Sequence, residues 1–110
     1  MNIFYLDPSP SASVDYMSNK HIVKMILESA QLLCTAHQEL DKKTHIDGVE
    51  LYKPTHKNHP SAVWVRENSL HYEWLYMHFI ALSDEYTYRY GKIHETYKKL
   101  SKALKRPPES

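Results

Sequence analysis

The sequence predicts an all-α fold of about three main helices with a short extended segment at the N-terminus. Two observations carry that prediction. Apolar residues recur at helical spacing through two long stretches, residues 19–40 and 61–90. The strongest helix breakers lie outside both: the only glycines are Gly48 and Gly91, and all six prolines fall at residues 8–10, 54–60 and 107–108. A chain of 110 residues, 42% of them hydrophobic, is the right size for a single domain spanning residues 1–110 with a closed core.

The elements follow in order. Residues 2–6, Asn2-Ile3-Phe4-Tyr5-Leu6, read as extended, and Asp7-Pro8-Ser9-Pro10 as a turn. A short helical stretch is expected over about 11–17. Ser18 or Asn19 then caps a long helix to about Leu40. Ile22, Ile26, Leu33 and Leu40 form its apolar row, flanked by Val23, Leu27 and Ala30. Residues 41–60 hold turn signals, with a brief strand near Val49, Leu51 and Tyr52. From Ser61, read as a cap, the helical period returns through Ala62, Val65, Tyr72, Tyr76, Phe79 and Tyr86, with a kink or restart at Asn68-Ser69 and a stop at Gly91. Ile93, Tyr97, Leu100 and Leu104 space a last, basic helix over about 92–106, ended by Pro107-Pro108.

Composition excludes several classes. A lone Cys34 rules out an intramolecular disulfide and a cysteine-rich zinc module, and it reads as a small core residue. Two glycines rule out glycine-rich phosphate loops. No apolar run reaches the ~18 residues of a membrane span. Met1-Asn2-Ile3-Phe4 lacks the basic start of a signal peptide, so a cytoplasmic setting is expected. The net charge of +1 hides a polarity. Residues 89–106 carry seven basic side chains against Glu95 alone. That end suits either a phosphate contact or an ordinary solvated surface.

On the long helix, His21, Lys24, Glu28, Gln31 and Thr35 are spaced 3, 4, 3 and 4, which sets five polar groups in one stripe between apolar flanks. Such a stripe faces either solvent, as a ladder in which Lys24 bridges His21 and Glu28, or a cleft. In a cleft, the carboxylate serves acid–base work or stabilises a cation.

The segment Asn19-Lys20-His21-Ile22-Val23-Lys24-Met25-Ile26-Leu27-Glu28, followed by Lys53-Pro54-Thr55-His56-Lys57-Asn58-His59-Pro60-Ser61-Ala62-Val63-Trp64, resembles the pyrimidine-dimer DNA glycosylases, the phage endonuclease V type, over about residues 1–92. His21 and Glu28 match that family's histidine and essential glutamate seven positions apart. Lys57-Asn58-His59-Pro60-Ser61 matches its turn before tryptophan. The resemblance implies an all-α N-glycosylase and AP-lyase of DNA repair, without cofactor or metal, in a phage-infected bacterial cell. The chain's α-amine, on Met1 or Asn2, attacks the sugar C1′, and Glu28 stabilises the cationic intermediates. His21 orients the sugar or phosphate. Lys24, Gln31, Lys57, Asn58, His59, Arg89 and the basic C-terminal helix bind substrate. An α-amine, with an ordinary pKa of ~7.7–8.0, is partly neutral near pH 7 and so nucleophilic.

Leu27 and Gln31 stand where the family carries arginines, and the chain has only three arginines. That departure supports an alternative: the same scaffold binding or cleaving a small nucleotide, such as a defence signal, without acting on duplex DNA. A non-catalytic interaction module is a third class. His56 and His59 in one turn fall short of a zinc ligand set; hydrogen bonding at the Pro60 turn or lining the cleft suits them better. Tyr86, Tyr88 and Tyr90 with Arg89 and Lys92 interleave aromatics and bases, as stacking surfaces for nucleic acid do, although Tyr86 and Tyr90 share a helix face that Tyr88 opposes.

Overall fold

The computed structural model describes residues 19–54 and 57–109. The extended segment at 2–6, the helical stretch at 11–17, and Met1, Asn2 and His56 lie outside the described residues. What is described is mostly helical, with one two-stranded ribbon.

Helix α1, Asn19–Asp41, is the spine. It buries Ile22, Met25, Ile26, Ala30 and Leu33 on one side, as its apolar period requires. The second flank differs from expectation. Val23 and Leu27 are each 41% exposed, so the polar stripe is bordered by one buried row and one open one. After Lys42, which takes a left-handed φ of 58°, a hairpin forms from β1, His45–Ile46, and β2, Val49–Glu50. The strands are antiparallel, pairing His45 with Glu50 and Ile46 with Val49. Asp47 and Gly48 join them with φ of 50° and 80°, the two positive values of a tight hairpin turn. Asp-Gly between Ile46 and Val49 is the sequence signal for this turn.

Helix α2, Pro60–Glu67, is capped by His59 rather than by Ser61: the His59 Nδ1 accepts from the Ser61 N–H at 3.1 Å, and Pro60 occupies the first turn, where no donor is needed. At Asn68 the backbone becomes extended, and its Oδ1 accepts from the His71 N–H at 2.9 Å to start α3, Ser69–Tyr90. The expected restart is therefore a helix break with its own cap. Gly91, left-handed at φ 70°, ends α3 as the sequence suggests.

The last helix is shorter than expected. Helix α4 covers Glu95–Leu100, capped by the His94 Nδ1 on the Thr96 N–H, and residues 101–106 continue as turns. Two tyrosines of α3 account for the change: Tyr76 Oη donates to the Ser101 carbonyl and Tyr72 Oη to the Leu104 carbonyl, both at 2.6 Å. These side chains anchor the turns to α3 while Leu100 and Leu104 enter the core.

Helix α3 runs antiparallel to α1, with Arg89 beside Asn19 and Tyr72 beside His37. The core lies between them and takes in Ala62 and Val65 of α2, Leu51 after the hairpin, and Leu100 and Leu104.

Candidate functional site

The polar stripe of α1 sinks into the protein as it advances. His21 and Lys24 are exposed, Glu28 and Gln31 half-buried, and Thr35 buried. Thr35 belongs to the structure rather than the site, since its Oγ1 donates to the Gln31 carbonyl at 2.8 Å. Glu28 stands at the boundary between the exposed face of Lys24 and Leu27 and the buried Met25 and Leu32.

A solvent ladder on this face would show Glu28 paired with Lys24 one turn before it. Neither side chain makes an ion pair or hydrogen bond among the described residues. A half-buried carboxylate, partly stripped of water and without a counter-ion, is available to a cation that arrives with a ligand. The next residue, Ser29, is buried, and its Oγ has no hydrogen-bond partner among the described residues, unlike Ser83, whose Oγ donates to the Phe79 carbonyl.

The other expected site residues separate into two groups. Lys57 and Asn58 are exposed in the turn before α2, and Arg66 Nη1 holds the Lys57 carbonyl at 2.6 Å. His59 spends Nδ1 on its cap. No hydrogen bond or ion pair joins this turn to Glu28 among the described residues. Arg89 does reach α1. Its Nε donates to Glu85 at 2.6 Å and its Nη1 to Asn19 Oδ1 at 2.8 Å, which fixes the end of α3 against the turn that carries His21. With both bonds made, Arg89 acts as a brace between helices. Tyr86 packs against the core with Tyr90 at 4.8 Å and His94 at 5.0 Å, whereas Tyr88 is 86% exposed.

A family model for pyrimidine dimer DNA glycosylases matches residues 1–99. The chain belongs to that family. The match runs through the α1 stripe, the 57–61 turn and α3, and stops just before the basic turns at 101–106. At family level the function is that of a DNA glycosylase of the pyrimidine-dimer type, with DNA as the substrate. No curated protein and no solved structure matches the chain. Among the described residues, no helix of this glycosylase-family chain is long and apolar enough to cross a membrane.

Three groups escaped sequence reasoning. His37 Nε2 lies 2.8 Å from Tyr72 Oη, and since the single Tyr72 proton goes to the Leu104 carbonyl, His37 is the donor to Tyr72. Burial chiefly holds the His37 pKa below the ordinary 6.5; Asp41 opposes this and Lys43 adds to it. A second group is an aromatic stack. Trp64 lies flat on His71 at 4.1 Å and edge-on to Trp74 at 6.0 Å, and Trp74 stacks on the buried His78 at 5.0 Å. The third is Tyr52, whose hydroxyl meets Thr96 Oγ1 at 3.1 Å under the ammonium of Lys99. Apart from the i,i+4 stack of Trp74 on His78, these contacts join residues at long range or across the Asn68 break, so no local pattern announces them. Cys34 is buried as expected, and desolvation pushes its thiol up to about 11, which makes it a poor nucleophile.

Proposed function

We propose that this chain releases damaged pyrimidines from DNA by an N-glycosylase and AP-lyase reaction in which Glu28 is the catalytic carboxylate and the N-terminal amine is the nucleophile. The amine attacks C1′, the C1′–N bond breaks, and the base departs with a proton. The C1′–O4′ bond of the sugar ring then opens with O4′ taking up a proton, and the protonated imine formed at C1′ carries positive charge. A carboxylate stabilises that charge and accepts the C2′ proton, after which the C3′–O bond breaks by β-elimination.

The observation that supports this reading is Glu28 itself, half-buried at an edge of α1 and without a partner among the described residues although Lys24 is one turn away. A pre-formed pair with Lys24 would already have neutralised the charge that the intermediate needs. In this reading His21, exposed one turn further out, orients the sugar or phosphate, and the exposed Lys24, Lys57 and Asn58 bind phosphates. Arg89 contributes by holding the start of α1 in position.

Borohydride trapping tests the chemistry. The protein is mixed with ultraviolet-irradiated duplex or abasic DNA and sodium borohydride, and the adduct is mapped by peptide mass spectrometry. The reading expects a covalent adduct on the N-terminal peptide. Base release with no trapped adduct would contradict the amine mechanism.

A further inference from the structure

At the opposite end of α1 from His21, and on its other side, a cavity of about 530 Å³ opens between the end of the helix, the β1–β2 hairpin and the turns at 101–106. Nine residues separate Glu28 from His37 in the wall of this cavity, which is half a rotation of the helix and ~13 Å along its axis. The cavity therefore opens on the opposite side of α1 from Glu28.

Its lining is unusual in charge. Lys43 arrives from the linker after α1, and Lys102, Lys105 and Arg106 arrive from the C-terminal turns. None of these four cations makes an ion pair or side-chain hydrogen bond among the described residues. They share the wall with the carboxylates of Asp41, Asp47 and Glu109, so the cations are in excess by one, and a bound anion would meet cationic side chains that are not already paired. Lys43 follows Lys42, whose left-handed φ of 58° turns the chain out of α1 into the linker beside the cavity.

The cavity is not uniformly basic, and that narrows the ligand. Asp47 and Glu109 also line it, and both are acceptors. Asp41 is engaged by the Glu109 backbone N–H at 2.8 Å. The wall includes His37, which is only 4% exposed and whose ring also lies against the Arg106 backbone. A bare polyphosphate answers the cations and leaves these acceptors facing more negative charge. A ligand that carries phosphates at one end and hydroxyl or amino donors at the other answers both sets. The volume lies within the ~300–1,000 Å³ of small-molecule sites.

We propose that this cavity is a nucleoside-polyphosphate site, separate from the Glu28 face, in which Lys43, Lys102, Lys105 and Arg106 hold the phosphates and Asp47 and Glu109 take donors from the nucleoside.

Calorimetric and thermal-shift titrations with ATP and with inorganic tripolyphosphate test it, using the full chain, Lys102→Gln/Lys105→Gln and Glu28→Gln. ATP should bind at one site and raise Tm, because it stabilises only the folded state. It should bind more tightly than tripolyphosphate. The double lysine variant should lose about tenfold or more in ATP affinity through two missing charge-assisted contacts. Glu28→Gln should bind ATP like the parent, which separates this site from the glycosylase reading. Should the lysine variant fold poorly, amide chemical-shift mapping on the parent decides, with perturbations expected around Lys43, Ala103 and Arg106. No binding at millimolar ATP, equal affinity for tripolyphosphate, or shifts centred elsewhere would overturn the proposal.

Discussion

The two halves of α1 are made from similar residues and live in different surroundings. From Asn19 to Glu28 the helix is covered on one side, and the uncovered side shows Lys20, Val23, Lys24 and Leu27. From Leu32 to His37 six consecutive residues are buried, so the helix is enclosed all round. Helix α3 covers one side of this second half. The chain after the hairpin covers another, where Gln38 Nε2 donates to the Tyr52 carbonyl at 2.7 Å, and the turns at 101–106 close the end through Tyr72 and Leu104. Polar groups in the enclosed half are bound to specific partners, as Thr35 and His37 are. Glu28 in the open half has no partner among the described residues. The same helix supplies a scaffold at one end and, in the proposed reaction, the reactive face at the other.

The largest expected effect on stability lies at the enclosed end. Tyr72→Phe removes the hydroxyl that links His37 to the Leu104 carbonyl and leaves two buried polar groups unsatisfied. A loss of ~1–3 kcal/mol is expected in urea unfolding. A loss within about 0.3 kcal/mol would mean that the link does not hold the C-terminal turns in place.

Acidification probes the same end. The folded-state pKa of His37 lies below its ordinary 6.5, mainly through burial. Between those two values the unfolded chain binds the extra proton. The stability that neutral His37 contributes is therefore fully present above pH 6.5 and is lost as the pH falls through 6.5 toward the lowered folded value. Unfolding curves at pH 7 and pH 5 should show this loss, and Tyr72→Phe, which removes the acceptor of Nε2–H, should change its size. An unfolding midpoint independent of pH over that range would refute the enclosed setting of His37.

At the open end the expected effects are smaller. Ser29→Ala removes a buried hydroxyl that has no partner among the described residues, so stability should stay level or rise by up to ~1 kcal/mol. A clear loss would reveal a partner for Oγ. Arg89→Ala breaks the Glu85 pair and the bond to Asn19, both partly exposed, at a cost of up to about 1 kcal/mol. If Arg89 is the brace described above, the variant should bind DNA nearly as the parent does. A steep fall in affinity would return Arg89 to phosphate contact.

How much of this was legible in the sequence follows the same division. The helices were, because their period is local: Ile22, Ile26, Leu33, Phe79 and Leu82 mark faces, Asn68 a break and Gly91 a stop. The stripe from His21 to Glu28 was legible for the same reason. The exposure of Val23 and Leu27 was not, because apolar side chains at helical spacing read as core until neighbouring elements show which face they cover. His37 carried no local signal, since its partners lie 35 residues away in Tyr72 and, through it, at Leu104. The Asp47-Gly48 hairpin was readable and overlooked. The shortened last helix depended on tyrosines of α3 that claim its carbonyls, which no reading of residues 92–106 alone supplies.

The most direct test of the account is single-turnover base release from ultraviolet-irradiated duplex by the parent chain and by Glu28→Gln, with both proteins shown to be folded. Gln keeps the shape and removes the charge. Because Glu28 is unpaired among the described residues, stability should change by less than about 1 kcal/mol. DNA binding should persist, since a neutral side chain repels phosphates less. The account predicts base release slower by ~10²–10³, the usual cost of removing one well-placed electrostatic stabiliser. A rate within about twofold of the parent would contradict it and leave Glu28 as a residue of the helix surface.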